Sequence, residues 1–410
     1  MTGALALRVP EAGGAVTAEL TPGQLATLLG ARELVGVGPA PGGQWRITGR
    51  RRVGALRLGH GDDAIDLYLD PKLPVENLLF LLSYVAGDRH WRRSVVTTGT
   101  EAGLLPAVAG LFASMAARAL DGGVLHGYRA VRESLYAVRG RIDVSAQLRR
   151  GGLPLPVAVE YDEFTADISE NQILAAAIAR LAGLHGTPPA TAAALRHLAG
   201  RLVDVSIPVQ GAPLPKWTPN RLNARYVPVL RLAQLILADA VPDLRYGDRV
   251  AVHGIVINME RLFESFLEIS LLDAAEQHGL RCVRQYPHHF DAARAIKIEP
   301  DISVYRPDAL HCVVDAKYKT TDGIPDDQAD LYQVTAYCTA LDLKTGHLVY
   351  ANGPDAPVTH AVGTGGMTVT VHGLDLSAAP AQILESVARI AEFAARAQMC
   401  GALPSPPLTE

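Results

Sequence analysis

Two carboxylates and a lysine lie in two consecutive segments that have the hydrophobic pattern of β-strands. Residues 298–305 alternate between apolar and polar, and residues 310–314 form a short apolar run typical of a buried strand. Asp301 lies in the first segment, whereas Asp315 and Lys317 follow the second. On adjacent strands these side chains can converge, and paired carboxylates form the hard oxygen site that magnesium prefers. Because a neighbouring lysine can orient water or polarise a phosphate, the pattern indicates metal-assisted phosphodiester hydrolysis.

Two segments with helical periodicity flank these strands and are expected to position further polar side chains. Residues 327–343 place Gln333 and Tyr337 four residues apart on one helix face. Upstream, residues 259–272 form an amphipathic pattern in which Glu264 lies among large apolar residues. A carboxylate in that position either faces solvent or is directed toward a positive group. For Tyr337, packing and contact with DNA are equally open interpretations.

The order of the strand residues is similar to that of a known superfamily. Pro300-Asp301 followed by Asp315-Ala316-Lys317 resembles the PD-(D/E)XK nuclease signature. That resemblance implies an α/β (α+β) nuclease core with the element order αβββαβ.

The segments that flank the strands restrict the resemblance to one group within this superfamily. Glu264 before the strands, and Gln333-xxx-Tyr337 after them, match the extended signature of RecB-like members. The segments MERLFESF, EPDISVY, VVDAKYK and DLYQVTAY resemble McrC, the nuclease subunit of McrBC-type modification-dependent (type IV) restriction systems. Three upstream segments, NLLFLLSYV, YAVRGRIDV and FTADISENQIL, also resemble McrC, so the resemblance covers roughly residues 34–350.

The resemblance implies a set of magnesium ligands. Asp301 and Asp315 would bind Mg²⁺, and the backbone carbonyl of Ala316 would complete the protein's share of the ligands. Glu264 would bind the ion directly or through a water molecule. Such a site lowers the pKa of bound water and balances charge on the leaving oxygen.

The resemblance also implies roles for two further side chains and a protein partner. Lys317 would position the attacking water or stabilise the pentavalent phosphate, and Gln333 would support the lysine or contact the DNA backbone. The partner would be a McrB-like AAA+ GTPase or ATPase that recognises modified double-stranded DNA. Residues 363–366 (GTGG) lack the lysine and the following helix of a P-loop, so nucleotide hydrolysis is expected from that partner.

Composition indicates a folded intracellular chain. The 410 residues are 49% hydrophobic and 20% charged, enough for two or three globular domains. No signal peptide or membrane-spanning run is evident, and the four cysteines are widely spaced, as expected of reduced thiols in a cytoplasmic protein.

Charge is distributed unevenly along the chain. Residues 1–255 contain 27 Lys and Arg against 22 Asp and Glu, a net charge of +5. Residues 256–410 contain 11 against 20, a net charge of −9. Since proteins that bind duplex DNA alone usually present a basic face to the phosphates, this protein with its acidic nuclease half is expected to need a partner that holds the DNA.

The pattern of segments predicts four regions. These are a β-rich module (residues 1–95), a mainly helical, partner-docking region (96–250), the nuclease domain (251–402) and a disordered tail (403–410). Residues 128–144 are predicted to form two paired strands whose charged residues make structural ion pairs or contact a partner. Residues 50–52 (Arg-Arg-Arg) are interpreted as a solvated turn or as phosphate contacts.

Two other functions stay open at the level of sequence. A stand-alone DNA repair or recombination nuclease is compatible with Gln333-xxx-Tyr337, although the acidic nuclease half argues against it. A non-catalytic adaptor that only activates an AAA+ motor is also conceivable. The complete set of Asp301, Asp315 and Lys317 argues against that adaptor.

Overall fold

The chain is a mixed α/β protein, which confirms the predicted fold class. The computed structural model describes residues 4–88, 103–151, 154–184, 186–209, 212–238, 252–291, 293–306, 309–319 and 328–396. These residues form five β-sheets together with the helices that pack around them. The predicted disordered tail at 403–410 lies outside the described residues.

The first part of the chain is rich in β-structure. Its elements are β1 (Leu5–Pro10), β2 (Ala15–Ala18), α1 (Pro22–Gly30), β3 (Val35–Pro39), β4 (Trp45–Gly49), β5 (Arg52–Leu58) and β6 (Ile65–Asp70). Thr21 caps α1, because its hydroxyl accepts a hydrogen bond from the backbone of Gln24 while the Gln24 side chain accepts one from the backbone of Thr21. This capping box explains why the helix begins at Pro22.

Helices dominate the middle of the chain. The elements there are α2 (Val75–Ala86), α3 (Leu104–Asp121), β7 (Gly127–Leu135), β8 (Arg141–Ile142), α4 (Val144–Arg149), β9 (Val157–Thr165), α5 (Ser169–Gly183), α6 (Pro189–Gly200) and α7 (Val227–Ala238). Among the helices described, α3 is long and apolar enough to cross a membrane. However, 61% of its apolar window is buried inside the protein, which is the environment of a core helix.

The predicted pairing of the two strands within residues 128–144 is wrong, because β9 lies between them. The sheet order is β7-β9-β8, and β9 is antiparallel to both neighbours. Glu160 of β9 forms ion pairs with Arg132 of β7 and with Arg141 of β8. Direct pairing of β7 with β8 would bring arginines side by side, whereas the acidic central strand neutralises both.

The C-terminal part has the predicted αβββαβ order of elements, with a short hairpin inserted. The elements are β10 (Val252–Asn258), α8 (Met259–Ala275), β11 (Arg281–Arg284), β12 (His288–His289), β13 (Lys297–Ile298), β14 (Ile302–Arg306), β15 (Ala309–Lys317), α9 (Gln328–Ala340), β16 (Thr345–Ala351), β17 (Val358–Val362), β18 (Met367–Leu374) and α10 (Pro380–Arg396). The predicted order corresponds to α8, β11, β14, β15, α9 and β16.

A six-stranded sheet organises this part, with the order β11-β14-β15-β16-β18-β17. Val314 and Val349 on one face share a core with α8 and α10. Val313 and Leu348 on the other face pack with Val334 of α9. Neighbouring residues of β15 therefore face opposite layers, as strand geometry requires, and the strand is buried on both sides as its apolar run predicts.

Strand β10 connects the N-terminal module to the C-terminal sheet. It closes the four-stranded sheet β1-β6-β5-β10 by pairing antiparallel with β5. The Asn258 side chain then caps α8, and the backbone N–H of Met259 donates a 3.1 Å hydrogen bond to the carbonyl of Arg51. The domain limits at residues 95, 250 and 402 stay predictions, but α8 starts directly from the N-terminal sheet.

Candidate active site

Strands β14 and β15 bring the two predicted carboxylates together. The strands are antiparallel, and Ile302 lies opposite Val314. Asp301 and Asp315 occupy the next position along this ladder, and residues opposite each other in an antiparallel pair point to the same face. The register shift in this pair falls between Val304 and Tyr305, so it leaves the carboxylate end of the ladder regular.

Both carboxylates contact groups of β15, the backbone of Ala316 and the side chain of Lys317. Asp301 Oδ2 accepts a 2.8 Å hydrogen bond from the backbone N–H of Ala316. Asp315 Oδ2 lies 2.6 Å from Lys317 Nζ, but it makes no hydrogen bond of regular geometry. Asp315 is only 1% exposed, and the Lys317 ammonium is the cation that balances its charge.

The lysine is held by a chain of hydrogen bonds from α9. Lys317 Nζ donates to Gln333 Oε1 at 2.9 Å, and Gln333 Nε2 donates to Tyr337 Oη at 2.7 Å. Gln333 and Tyr337 lie one helical turn apart, so the i, i+4 spacing in the sequence corresponds to a direct contact. The predicted support of Lys317 by Gln333 agrees with this geometry, and Tyr337 is a largely buried packing residue that also orients the glutamine.

Asp330 is a member of this cluster that sequence reasoning missed. It lies on α9, 4.0 Å from Lys317 Nζ and 2.8 Å from Lys319 Nζ. Its Oδ2 also accepts a 2.8 Å hydrogen bond from Tyr350 Oη. The signal that would have identified it is its position three residues before Gln333, which places it on the same helix face.

Glu264 is half-buried on α8 and contributes to the field at the site. Burial is the main cause that raises its pKa, and the neighbouring charges of Glu260 and Asp315 raise it further. Lys317 acts in the opposite direction. Among the residues described, no three His, Cys, Asp or Glu side chains form a set able to hold a metal ion. The predicted ligand role of Glu264 therefore stays a prediction.

The two strand carboxylates fit a hard divalent cation. Burial raises the pKa of Asp301, and the charge of Asp315 raises it further. Burial also raises the pKa of Asp315, and Lys317 offsets part of this effect. Two buried carboxylates that resist ionisation side by side favour either a shared proton or a bound cation. A cation with two carboxylate ligands, backbone oxygen and water matches the coordination of Mg²⁺.

A second buried contact connects the N-terminal module to the strand that bears the lysine. Glu11, fully buried just after β1, accepts hydrogen bonds from Tyr318 Oη at 2.8 Å and from the backbone N–H of Lys72 at 3.0 Å. Burial raises the pKa of Glu11, although the bond from Tyr318 lowers it. Sequence reasoning missed this contact because its partners lie far apart in the chain.

Comparison with known proteins agrees with the resemblance seen in the motifs. Residues 47–351 match the model of the family described as McrBC 5-methylcytosine restriction system component. No curated protein matches the chain.

Two solved structures from Thermococcus gammatolerans are similar. One is the refined half-complex from the tetradecameric assembly of McrB AAA+ hexamers with bound McrC, matched with a TM-score of 0.58, 17% identity and coverage of 95% of this chain and 99% of that chain. The other is the cryo-EM structure of the McrBC complex, matched with a TM-score of 0.42, 18% identity and coverage of 66% and 88%. The first match shows a shared fold. The family match extends over well more than half of the sequence, so this chain belongs to the McrBC 5-methylcytosine restriction system component family, as its McrC-like motifs indicate.

Proposed function

We propose that this chain is the endonuclease subunit of a modified-DNA restriction system and that it cleaves DNA phosphodiesters by metal-assisted hydrolysis. The observation that carries the proposal is the convergence of Asp301, Asp315 and Lys317 on one end of the β14–β15 ladder. Membership of the McrBC family, which rests on a match over residues 47–351, supports the same proposal.

The proposed metal site uses residues with complementary properties. Asp301 and Asp315 would hold Mg²⁺ with the carbonyl of Ala316, and Glu264 would contribute directly or through water. When bound, the ion would supply a water of lowered pKa and charge to balance the leaving oxygen.

Lys317 is suited to act on the phosphate as a cation. Burial alone would lower its pKa, but Asp315 and Asp330 outweigh burial, and the pKa is raised. The ammonium therefore keeps its proton at neutral pH. Gln333 and Asp315 fix its position, and the third N–H of the ammonium would serve a water molecule or a phosphate oxygen.

We also propose a McrB-like AAA+ GTPase or ATPase as the partner of this chain. In the structure with the higher TM-score, McrC is bound to McrB AAA+ hexamers. In the present chain the sheet β7-β9-β8 and the residue after β7 carry large aromatic side chains in solvent: Tyr128 and Phe164 in the sheet are 77% and 62% exposed, and Tyr136 after β7 is 82% exposed. Exposed aromatic groups among ion-paired arginines are typical of a protein–protein interface.

The function is tested by cleavage of modified duplex DNA with the partner NTPase and Mg²⁺ present. Asp315→Asn and Lys317→Ala should abolish cleavage while binding to the partner and stimulation of its NTPase activity persist. Arg389→Ala, on the exposed surface of α10, is the control and should cleave like wild type. Full cleavage by both site variants would contradict the proposed active site. Full cleavage by wild type without any NTPase would contradict the role of the partner and favour a stand-alone nuclease.

A further inference from the structure

A basic turn of the N-terminal module lines a cavity on the protein surface. The turn consists of Arg50 and Arg51, between β4 and β5, together with Arg52, the first residue of β5. These arginines, together with Arg32, line a cavity of about 670 Å³. Glu33 and Glu260 are the carboxylates of that cavity, so its walls carry an excess of positive charge.

A second cavity connects this basic turn to the lysine cluster. It has a volume of about 320 Å³ and shares Ala12 and Arg51 with the first cavity. Its lining also includes Lys72, Lys319 and Asp330. Asp330 lies 4.0 Å from Lys317 Nζ, so this cavity lies beside the candidate active site. The two neighbouring cavities are together named the arginine groove.

Most of the arginines in this groove are not neutralised. Arg51 is paired with Glu260. Within the described part of the chain, no ion pair connects Arg32, Arg50 or Arg52 to a carboxylate. The Nη1 atom of Arg52 is buried without a hydrogen-bond partner. A buried donor of this kind is costly unless a ligand completes it, and phosphate oxygens are well matched to guanidinium groups.

The turn is fixed relative to the nuclease core. The backbone N–H of Arg51 donates to the Glu11 carbonyl at 2.7 Å, and its carbonyl accepts from Met259 at the start of α8. Arg51 adopts a φ of +52°, a conformation that a residue with a side chain rarely adopts without support. Gly49 allows this approach, because a Cβ there would lie 2.2 Å from the carbonyl oxygen of Pro10. The backbone of the turn at Arg51 is therefore fixed relative to Glu11 and to the start of α8.

We propose that the arginine groove binds the phosphodiester backbone of duplex DNA and leads it to the Asp301–Asp315 site. This proposal rests on the proposed nuclease function. It explains how a nuclease half with a net charge of −9 acts on a polyanion. The N-terminal module belongs to the half with a net charge of +5, and its arginines would bind the phosphates. An acidic surface of a protein partner is a less suitable occupant, because the lining includes Asp330, which lies 4.0 Å from Lys317, the cation proposed to act on the phosphate.

The test is binding of the full chain to a labelled duplex, measured by fluorescence anisotropy over a range of salt concentrations without divalent metal. Arg32→Ala/Arg50→Ala removes two exposed groove arginines and should leave folding intact. Each phosphate contact contributes about 0.9 to the slope of log K against log salt, so the slope should fall by about 1.8. Affinity should fall about tenfold at moderate salt.

Arg389→Ala/Arg396→Ala is the matched control, because it removes the same charge from exposed positions on α10. It should retain the wild-type slope. The proposal is overturned if the groove variant keeps the wild-type slope or if the slope falls equally in both variants. It is also overturned if wild type shows no salt-dependent binding. Unchanged DNA affinity with lost binding to the NTPase partner would also overturn it and would assign the groove to a protein contact.

The outcome separates this proposal from the nuclease assignment. If DNA binding depends on the groove but Asp315→Asn cleaves normally, the groove stands and the proposed active site fails. If cleavage depends on Asp315 but DNA affinity is unchanged in the groove variant, the proposed active site is supported and the proposed DNA-binding groove is wrong.

Discussion

Glu268 offers a quantitative test of how α8 buries its carboxyl groups. The residue lies one helical turn after Glu264 and is 5% exposed. Its Oε1 has no hydrogen-bond partner, and Oε2 lies 3.7 Å from a nitrogen of Arg284. Burial raises the pKa of Glu268 from 4.5 to about 7, and Arg284 offsets only part of the effect.

This pKa determines the sign and size of a stability effect. The folded state binds the Glu268 proton more tightly than the unfolded state does. The contribution of this group to the unfolding free energy is therefore fully present below pH 4.5 and is lost as the pH rises through about 7. The pKa difference corresponds to at most about 3 kcal/mol of unfolding free energy above that range. Glu268→Gln removes the ionisation and should be more stable than wild type by up to about 3 kcal/mol in mildly alkaline buffer. Near pH 5 the gain should fall below about 1 kcal/mol.

The measurement is urea denaturation followed by circular dichroism at a series of pH values. Glu385→Gln, at a position whose side chain is 70% exposed on α10, is the control and should leave the pH profile unchanged. Identical pH profiles for wild type and Glu268→Gln would refute the argument that burial controls this carboxyl group.

Three further predictions concern the candidate site. Asp315→Asn should reduce cleavage at least about a hundredfold, and chelation of Mg²⁺ should do the same to wild type in a way that added Mg²⁺ reverses. Gln333→Ala should slow cleavage about tenfold, because Lys317 loses its 2.9 Å acceptor, whereas DNA affinity measured by anisotropy should stay unchanged. Tyr318→Phe should lower the unfolding free energy by about 1–3 kcal/mol in urea denaturation, because Glu11 loses a buried donor, and an unchanged value would contradict this account.

Local patterns predicted most of the C-terminal elements. The amphipathic pattern at residues 259–272 corresponds to the helix Met259–Ala275, and the helical pattern at 327–343 corresponds to Gln328–Ala340. Amphipathic periodicity and capping residues such as Asn258 are local signals, so they can be identified without knowledge of the fold.

The arrangement of strands in space was not predictable in the same way. Nothing within residues 128–144 indicates that β9 inserts between the two strands, because β9 lies outside that segment. Likewise β10, which precedes α8, completes a sheet whose other strands lie within the first 70 residues. Strand partners are selected by long-range burial and charge, which leave no local pattern.

The sequence by itself determined the residue types of the candidate site, their order, and the imbalance of charge between the two halves of the chain. Only the tertiary structure decided that Asp301 and Asp315 share one face, that Asp330 joins Lys317, and that distant arginines line a cavity next to the one that contains Asp330. The physical reason is that spacing fixes which way neighbouring side chains point, whereas proximity between distant segments is fixed by packing of the whole core.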